Sequence, residues 1–253
     1  MIARIKMAAF HLLCSAIVVG LVMNVIYFIW YPYPYYIFHD TFSATKLVVM
    51  VDLVLGPLLT FIVFNTAKPL KELKRDLSII VMVQIAALVW GTYVTHSVRP
   101  LFAVYFNGEI HSITEVSFDN SGFDPSVKVP GIFERPQLVY IEPFSKDNYK
   151  LMLLKQLRGE VLGIVLQTRL YRNINNAAKK AMLARSLSRE QLTKRADHKK
   201  ILMDFLVHKN LSFDDMLFYP VTTGLYSGVV VIDKNTMNVI DKLDVYIKNT
   251  TEY

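Results

Sequence analysis

Asp52 sits inside an otherwise apolar stretch of the sequence. It lies about two helical turns into that stretch, where an ionisable group is expensive and marks a functional candidate by default. Gly56 and Pro57 follow one turn later. Pro57 removes a backbone donor and predicts a kink. Asn24 and Gln84 lie in the neighbouring apolar stretches and are the side chains a buried Asp52 could bond. In one reading these groups hydrogen-bond each other and set helix packing. In the other, Asp52 or the kink contacts a partner's membrane helix. A proton or ion relay needs more than one carboxyl. His11 and Cys14 read as packing residues.

A second polar group is His96, His111, Glu109 and Glu115, close in sequence, though their spacing specifies no reaction. The chain has no phosphate-binding loop, nucleophile elbow, zinc-protease helix or dinucleotide fingerprint. Its one cysteine forms no intramolecular disulfide, and no Cys/His cluster has zinc spacing. The expectation is no catalytic centre, no cofactor and no metal. Lys179, Lys180, Arg185, Arg189, Lys194, Arg195, Lys199 and Lys200 form a basic stretch. It reads as the solvated face of two helices, or as a surface for acidic headgroups or an acidic partner. Without interleaved aromatics it does not suit nucleic acid. Asn249-Thr250-Thr251 matches a glycosylation acceptor, a tripeptide common by chance.

The elements that position these residues fall into two halves. The net charge is +7, and residues 1–96 hold seven Lys/Arg against four Asp/Glu. The excess is therefore not one basic tail. Residues 7–31, 47–64 and 77–94 read as three transmembrane helices. The first is longer than a signal-peptide core and is followed by Trp30-Tyr31-Pro32-Tyr33-Pro34, not by a cleavage site. Trp30 and Tyr31 read as an aromatic belt at headgroup level. Arg4, Lys6 and four basic residues in the 65–76 loop place the N-terminus and that loop in the cytoplasm. Residues 97–253 then lie outside, in the periplasm of a bacterium with two membranes.

Within 97–253, an apolar run at 101–105, Asn107-Gly108 and alternation over 110–118 predict a β-hairpin. A loop spans 119–136 and a short strand 138–141. Helices are expected over 145–157, 173–185 and 188–208, with Gly159 ending the first and Ser188/Gln191 as a capping box. The run 161–166 is ambiguous. Strands at 216–221 and 228–232, separated by Gly224, and a hairpin through 239–247 complete the chain. The predicted fold class is a membrane protein with three N-terminal transmembrane helices and an α+β periplasmic domain of antiparallel strands. Helices are expected on one face of the sheet.

Several patterns recur in order. They are Ala9 to Leu12, Trp30 to Pro34, Asp52 to Thr60 (DLVLGPLLT), Val63-Phe64, the basic loop ending at Leu73 to Leu77, Gln84, Ala87-Leu88, Gly91 and Arg99-Pro100. Tyr219-Pro220 and Val229 to Thr236 add to them. This sequence resembles the type IV pilin accessory proteins, the TfpX/TfpZ group related to FimB. The resemblance is strongest over residues 8–106 and loose over 120–200. It departs at residues 35–40, where the family has a glycine, and at Trp90, where it often has tyrosine. The resemblance implies a non-enzymatic inner-membrane factor that helps the major type IV pilin subunit assemble, with other pilus assembly proteins as further partners. It suggests Asp52, Gly56, Pro57, Gln84, Asn24, Arg99 and Pro100 as partner-binding residues. A membrane-anchored ligand sensor is the competing reading, and a membrane enzyme modifying pilin is a third.

Overall fold

The computed structural model describes residues 1–39, 41–117, 122, 124–223 and 226–246. The glycosylation tripeptide, Gly224, Phe118 and most of 119–123 lie outside them. The chain divides into two compact units, Met1–Trp30 with Asp40–Arg99, and Tyr31–His39 with Pro100–Tyr253.

The first unit is helical. Helix α1 (Ile2–Val25) runs on through a π-helical turn (Ile26–Trp30). In the second unit a short helix α2 (Tyr35–Phe38) follows. Back in the first unit, α3 (Thr41–Met50), a π-helical turn (Val51–Leu55) and α4 (Gly56–Val63) form one continuous helix, and α5 (Leu70–Ser97) closes the unit. The π turn ends beside Pro57, which has no N–H for the helical ladder. There the Gly56 N–H reaches back to the Val51 carbonyl, five residues away. Among the described residues, two helices are long and apolar enough to cross a membrane, Ile2–Trp30 and Leu70–Ser97. Val48–Val63 is a shorter apolar helix. Only 11% of the most apolar window of each long helix is buried within the protein. Phe10, Leu13, Ile17, Leu21, Met82, Val83, Val89 and Trp90 all face outward.

The second unit is built on a seven-stranded sheet. Its strands are β1 (Pro100–Phe106), β2 (Glu109–Thr114), β3 (Gln137–Ile141), β4 (Tyr171–Asn173), β5 (Met216–Thr222), β6 (Ser227–Asp233) and β7 (Val239–Leu243). Their order is β4-β3-β1-β2-β5-β6-β7. The predicted β1–β2 hairpin forms, with Asn107 at φ 52° and Gly108 at φ 86°, the left-handed pair a two-residue turn requires. The expectation of antiparallel strands is corrected. β1 runs parallel to β3, and β2 parallel to β5, so the sheet is mixed. The long excursions between these strands allow it, since a parallel pair needs a crossover.

Helices on one face is also corrected, because both faces are covered. One face buries Ala103, Tyr105, Leu217, Tyr219, Val230 and Ile232 under α7 (Asn176–Arg185), with Tyr35 and Phe38 of α2. The other buries Phe102, Val104, Val139, Phe218, Val229 and Val231. Tyr149 and Met152 of α6 (Lys146–Leu157) pack on that face, as do Leu202 and Leu206 of α9 (Ala196–Lys209). Strand β1 and the middle of β6 (Val229–Ile232) are apolar throughout because neither face meets water there. The single helix expected over 188–208 is two, α8 (Arg189–Leu192) and α9. The capping box opens α8. The Thr193 hydroxyl then donates to the Arg189 carbonyl at 2.8 Å, in competition with the helical ladder. The ambiguous 161–166 run contains a 3₁₀ turn, Ile164–Leu166.

Candidate functional site

Asp52 and Gly56 are four residues apart, so they share one helix face. Gln84 comes from α5 and lies over that face. A Cβ on Gly56 would sit 2.0 Å from Gln84 Nε2, so the bare glycine is what lets the amide pass. Gln84 Nε2 donates to the Asp52 carbonyl at 3.3 Å and reaches Asp52 Oδ1 at 3.5 Å. One turn beyond Gly56, buried Thr60 bonds His11 Nδ1 of α1 at 2.5 Å. Asp52 is 4% exposed and Gln84 8%. Asp52 Oδ2 and Gln84 Oε1 have no hydrogen-bond partner among the described residues.

These groups line a cavity of about 360 Å³ within the helical unit. Its walls are Met7, Phe10, Cys14, Val18, Val81 and Leu88, with His11, Asp52, Thr60 and Gln84 among them. Of the residues singled out in the sequence, Asp52, Gly56, Pro57 and Gln84 are brought together. Asn24 is not; it is exposed and donates to the Gly20 carbonyl of its own helix at 3.0 Å. Arg99, buried, stands at the far end of α5, roughly 20 Å along the helix axis from Gln84. Pro100 opens β1. His11, read as a packing residue, is the polar neighbour that sequence reasoning passed over.

Of the His96/His111/Glu109/Glu115 group, His96 belongs to the helical unit and the other three to the sheet unit. His96 packs edge-on against Trp30 at 4.9 Å in the helical unit. His111 and Glu109 approach to 3.7 Å on β2 in the other unit. Burial pushes the His111 pKa down. Among the described residues no three His, Cys, Asp or Glu side chains gather as a metal would require. Of the basic stretch, Arg195 pairs with Asp197 at 3.1 Å and Arg189 lies over the Phe213 ring.

A second cluster was unforeseen. The aromatic belt expected after the first span is corrected, because Trp30 and Tyr31 are buried in protein, at 4% and 1% exposure. Tyr31–His39 belongs to the sheet unit. The Tyr33 hydroxyl donates to Asp241 Oδ1, and Lys209 Nζ meets the other oxygen at 2.8 Å. Burial, and then Asp241, push the Tyr33 pKa up. His39 Nε2 bonds the Ser112 hydroxyl at 2.7 Å. Burial lowers the His39 pKa to about 4. The Thr223 hydroxyl donates to the Phe38 carbonyl at 2.8 Å. The density of aromatics at 30–38 was the visible signal, but it is equally what a membrane interface would carry.

The family model for fimbrial assembly protein FimB matches residues 1–38, which end within this aromatic segment. The fimbrial assembly protein of Dichelobacter nodosus serogroups C1 and C2 is 38% identical over 112 residues, 44% of this chain and 83% of that protein. The chain belongs to the FimB family of fimbrial assembly proteins. Two other family members from Dichelobacter nodosus align over nearly the whole length. The serogroup I protein is 27% identical over 95% of this chain and 94% of its own. The serogroup E1 protein is 28% identical over the same shares. No solved structure matches this FimB-family chain.

Proposed function

We propose that this chain is a non-enzymatic accessory factor for type IV pilus assembly, which binds the major pilin in the bacterial inner membrane. The observation that carries it is the match to proteins named for fimbrial assembly along almost the whole chain. The helices support a membrane location, since apolar side chains left outward over two long helices are stable in lipid and costly in water. We read three crossings. The continuous helix 41–63 would be about 34 Å long, enough for a hydrocarbon core of about 30 Å. Lys46 lies near its start, where it can snorkel to the interface. The basic residues of the N-terminus and the 65–76 loop support a cytoplasmic placement for both. The 97–253 domain is then periplasmic.

In this reading a pilin, with one apolar helix and an outer head, is held at both parts. Asp52, Gly56 and Pro57 lie beside its helix, and the sheet domain docks on its head. The factor holds the subunit before extraction into the pilus, or biases assembly over disassembly. The test is mild crosslinking in intact cells, then purification of the tagged protein in detergent. The major pilin is the expected companion. Repeated absence of pilin from correctly inserted protein in piliated cells would refute direct binding. Asp52→Asn is expected to reduce piliation without lowering the protein level, and normal piliation would remove Asp52 from the mechanism.

A further inference from the structure

We propose that the groove lined by α1, α4 and α5 receives a hydrogen-bond-donating side chain from a partner's membrane helix. The inference rests on reading these helices as membrane spans and pilin as their neighbour, and it specifies what the partner must carry.

The groove has the size for side chains, not for a helix. A helix with its side chains is about 10–12 Å across, whereas the cavity holds about 360 Å³. A partner helix would lie along the mouth and insert what it presents. Most of the wall is apolar, and His11 and Thr60 already bond each other. The exceptions are Asp52 Oδ2 and Gln84 Oε1. Both residues are more than nine-tenths buried, both line the groove, and neither oxygen has a partner among the described residues. Gln84 has turned its N–H groups toward Asp52, which leaves its carbonyl oxygen unpaired. Gln84 Oε1 is an acceptor, and so is Asp52 Oδ2 in the ionised carboxylate, so the missing group is a donor.

Depth decides where that donor comes from. Gln84 lies at the middle of a 28-residue helix, roughly 20 Å from either end. A lipid acyl chain has no donor. Headgroups, which have donors, lie about 15 Å or more from the bilayer centre. Besides a trapped water, which leaves no peptide adduct in the test below, a donor at this depth is carried on a protein helix, as a hydroxyl, an amide N–H or an ammonium group within an apolar sequence. Interhelical hydrogen bonds of this kind are an established source of helix association in membranes.

The test places a photoreactive leucine at Leu88, on the groove wall, in the full-length chain in membranes that also hold the major pilin. The adduct is identified by mass spectrometry. The expected adduct is a pilin-helix peptide with a donor side chain within one turn of the linked residue. Asp52→Leu combined with Gln84→Leu should lower its yield about tenfold or more. Asp52→Asn, which keeps one acceptor oxygen, should lower it less. Val18→Trp fills the groove from α1 while leaving both acceptors in place, and should also remove the adduct. This second variant keeps the test valid if the double leucine variant fails to insert. Adducts with acyl chains alone would overturn the site, as would a pilin adduct that none of these changes affects. A general crosslinker is scored in the same membranes. Pilin recovered there with only acyl adducts at Leu88 sinks the groove and leaves the proposed function standing. Pilin absent from both, with an Asp52-dependent adduct on another identified donor-bearing helix, does the reverse.

Discussion

At Gly56, the space a side chain would need is filled by Gln84. Gly56→Ala must push the amide aside, and with it the bond to Asp52. The expected cost is about 1–3 kcal/mol, read by thermal unfolding of the full-length protein in micelles. The cost should shrink when Gln84→Ala is also present, because the two residues share one contact. Purely additive effects would mean that Gln84 does not occupy that space. His39 makes a second prediction at this scale. Its folded pKa, lowered by burial to about 4, lies below the ordinary value of 6.5. The unfolded chain therefore binds a proton first, and stability falls as pH drops from about 6.5 toward 4. The loss should be on the order of 1–3 kcal/mol. His111 acts in the same direction, from burial. His39→Gln keeps a hydrogen-bonding group for Ser112 without the titration, and should flatten the slope of unfolding temperature against pH.

At the scale of elements, α2 is only one helical turn, yet it buries Tyr35 at 5% and Phe38 at 2% exposure. Both belong to the same apolar cluster as Tyr105, Leu217 and Tyr219 of the sheet. Tyr35 and Phe38 meet at 6.0 Å, and Phe38 meets Tyr226 at 5.2 Å. A four-residue helix has little stability of its own. It is held by this burial and by the bonds of Tyr33, His39 and Thr223. Phe38→Ala should cost about 3–5 kcal/mol of sheet-unit stability, measured by thermal unfolding. A cost under about 1 kcal/mol would mean that the segment is a passenger and not part of the core.

For the whole molecule, a segment between two helices of the first unit belongs to the same compact unit as residues that follow the last of them. The sheet unit is therefore incomplete as a continuous stretch of sequence. A fragment starting at Pro100 would expose the seats of Tyr35 and Phe38. It should melt at a lower temperature than the same unit in the intact chain. A synthetic peptide of residues 31–39 should raise that temperature in proportion to the logarithm of its concentration above saturation. A fragment as stable as the intact unit, and indifferent to the peptide, would contradict this account.

The sequence by itself determined the local elements. The long apolar runs of α1 and α5, the Asn107-Gly108 hairpin, the Ser188 capping box and the strands at β3, β5 and β6 were all legible. Each depends on contacts within a few residues, or on a period that the chain itself displays. Asp52, Gly56 and Gln84 were legible as candidates because polar and small residues stand out in an apolar stretch. Only the tertiary structure decided who meets whom. It left Asn24 bonded to its own helix, brought His11 to Thr60 and turned two acceptor oxygens into one groove. It also made β1 parallel to β3 and β2 parallel to β5, and it drew Tyr35 and Phe38 into the sheet core. Apolar aromatics gain free energy by leaving water for lipid or for protein alike, and composition does not distinguish the two. Strand direction and helix pairing depend on partners distant in sequence, whose complementarity exists only once the chain has folded.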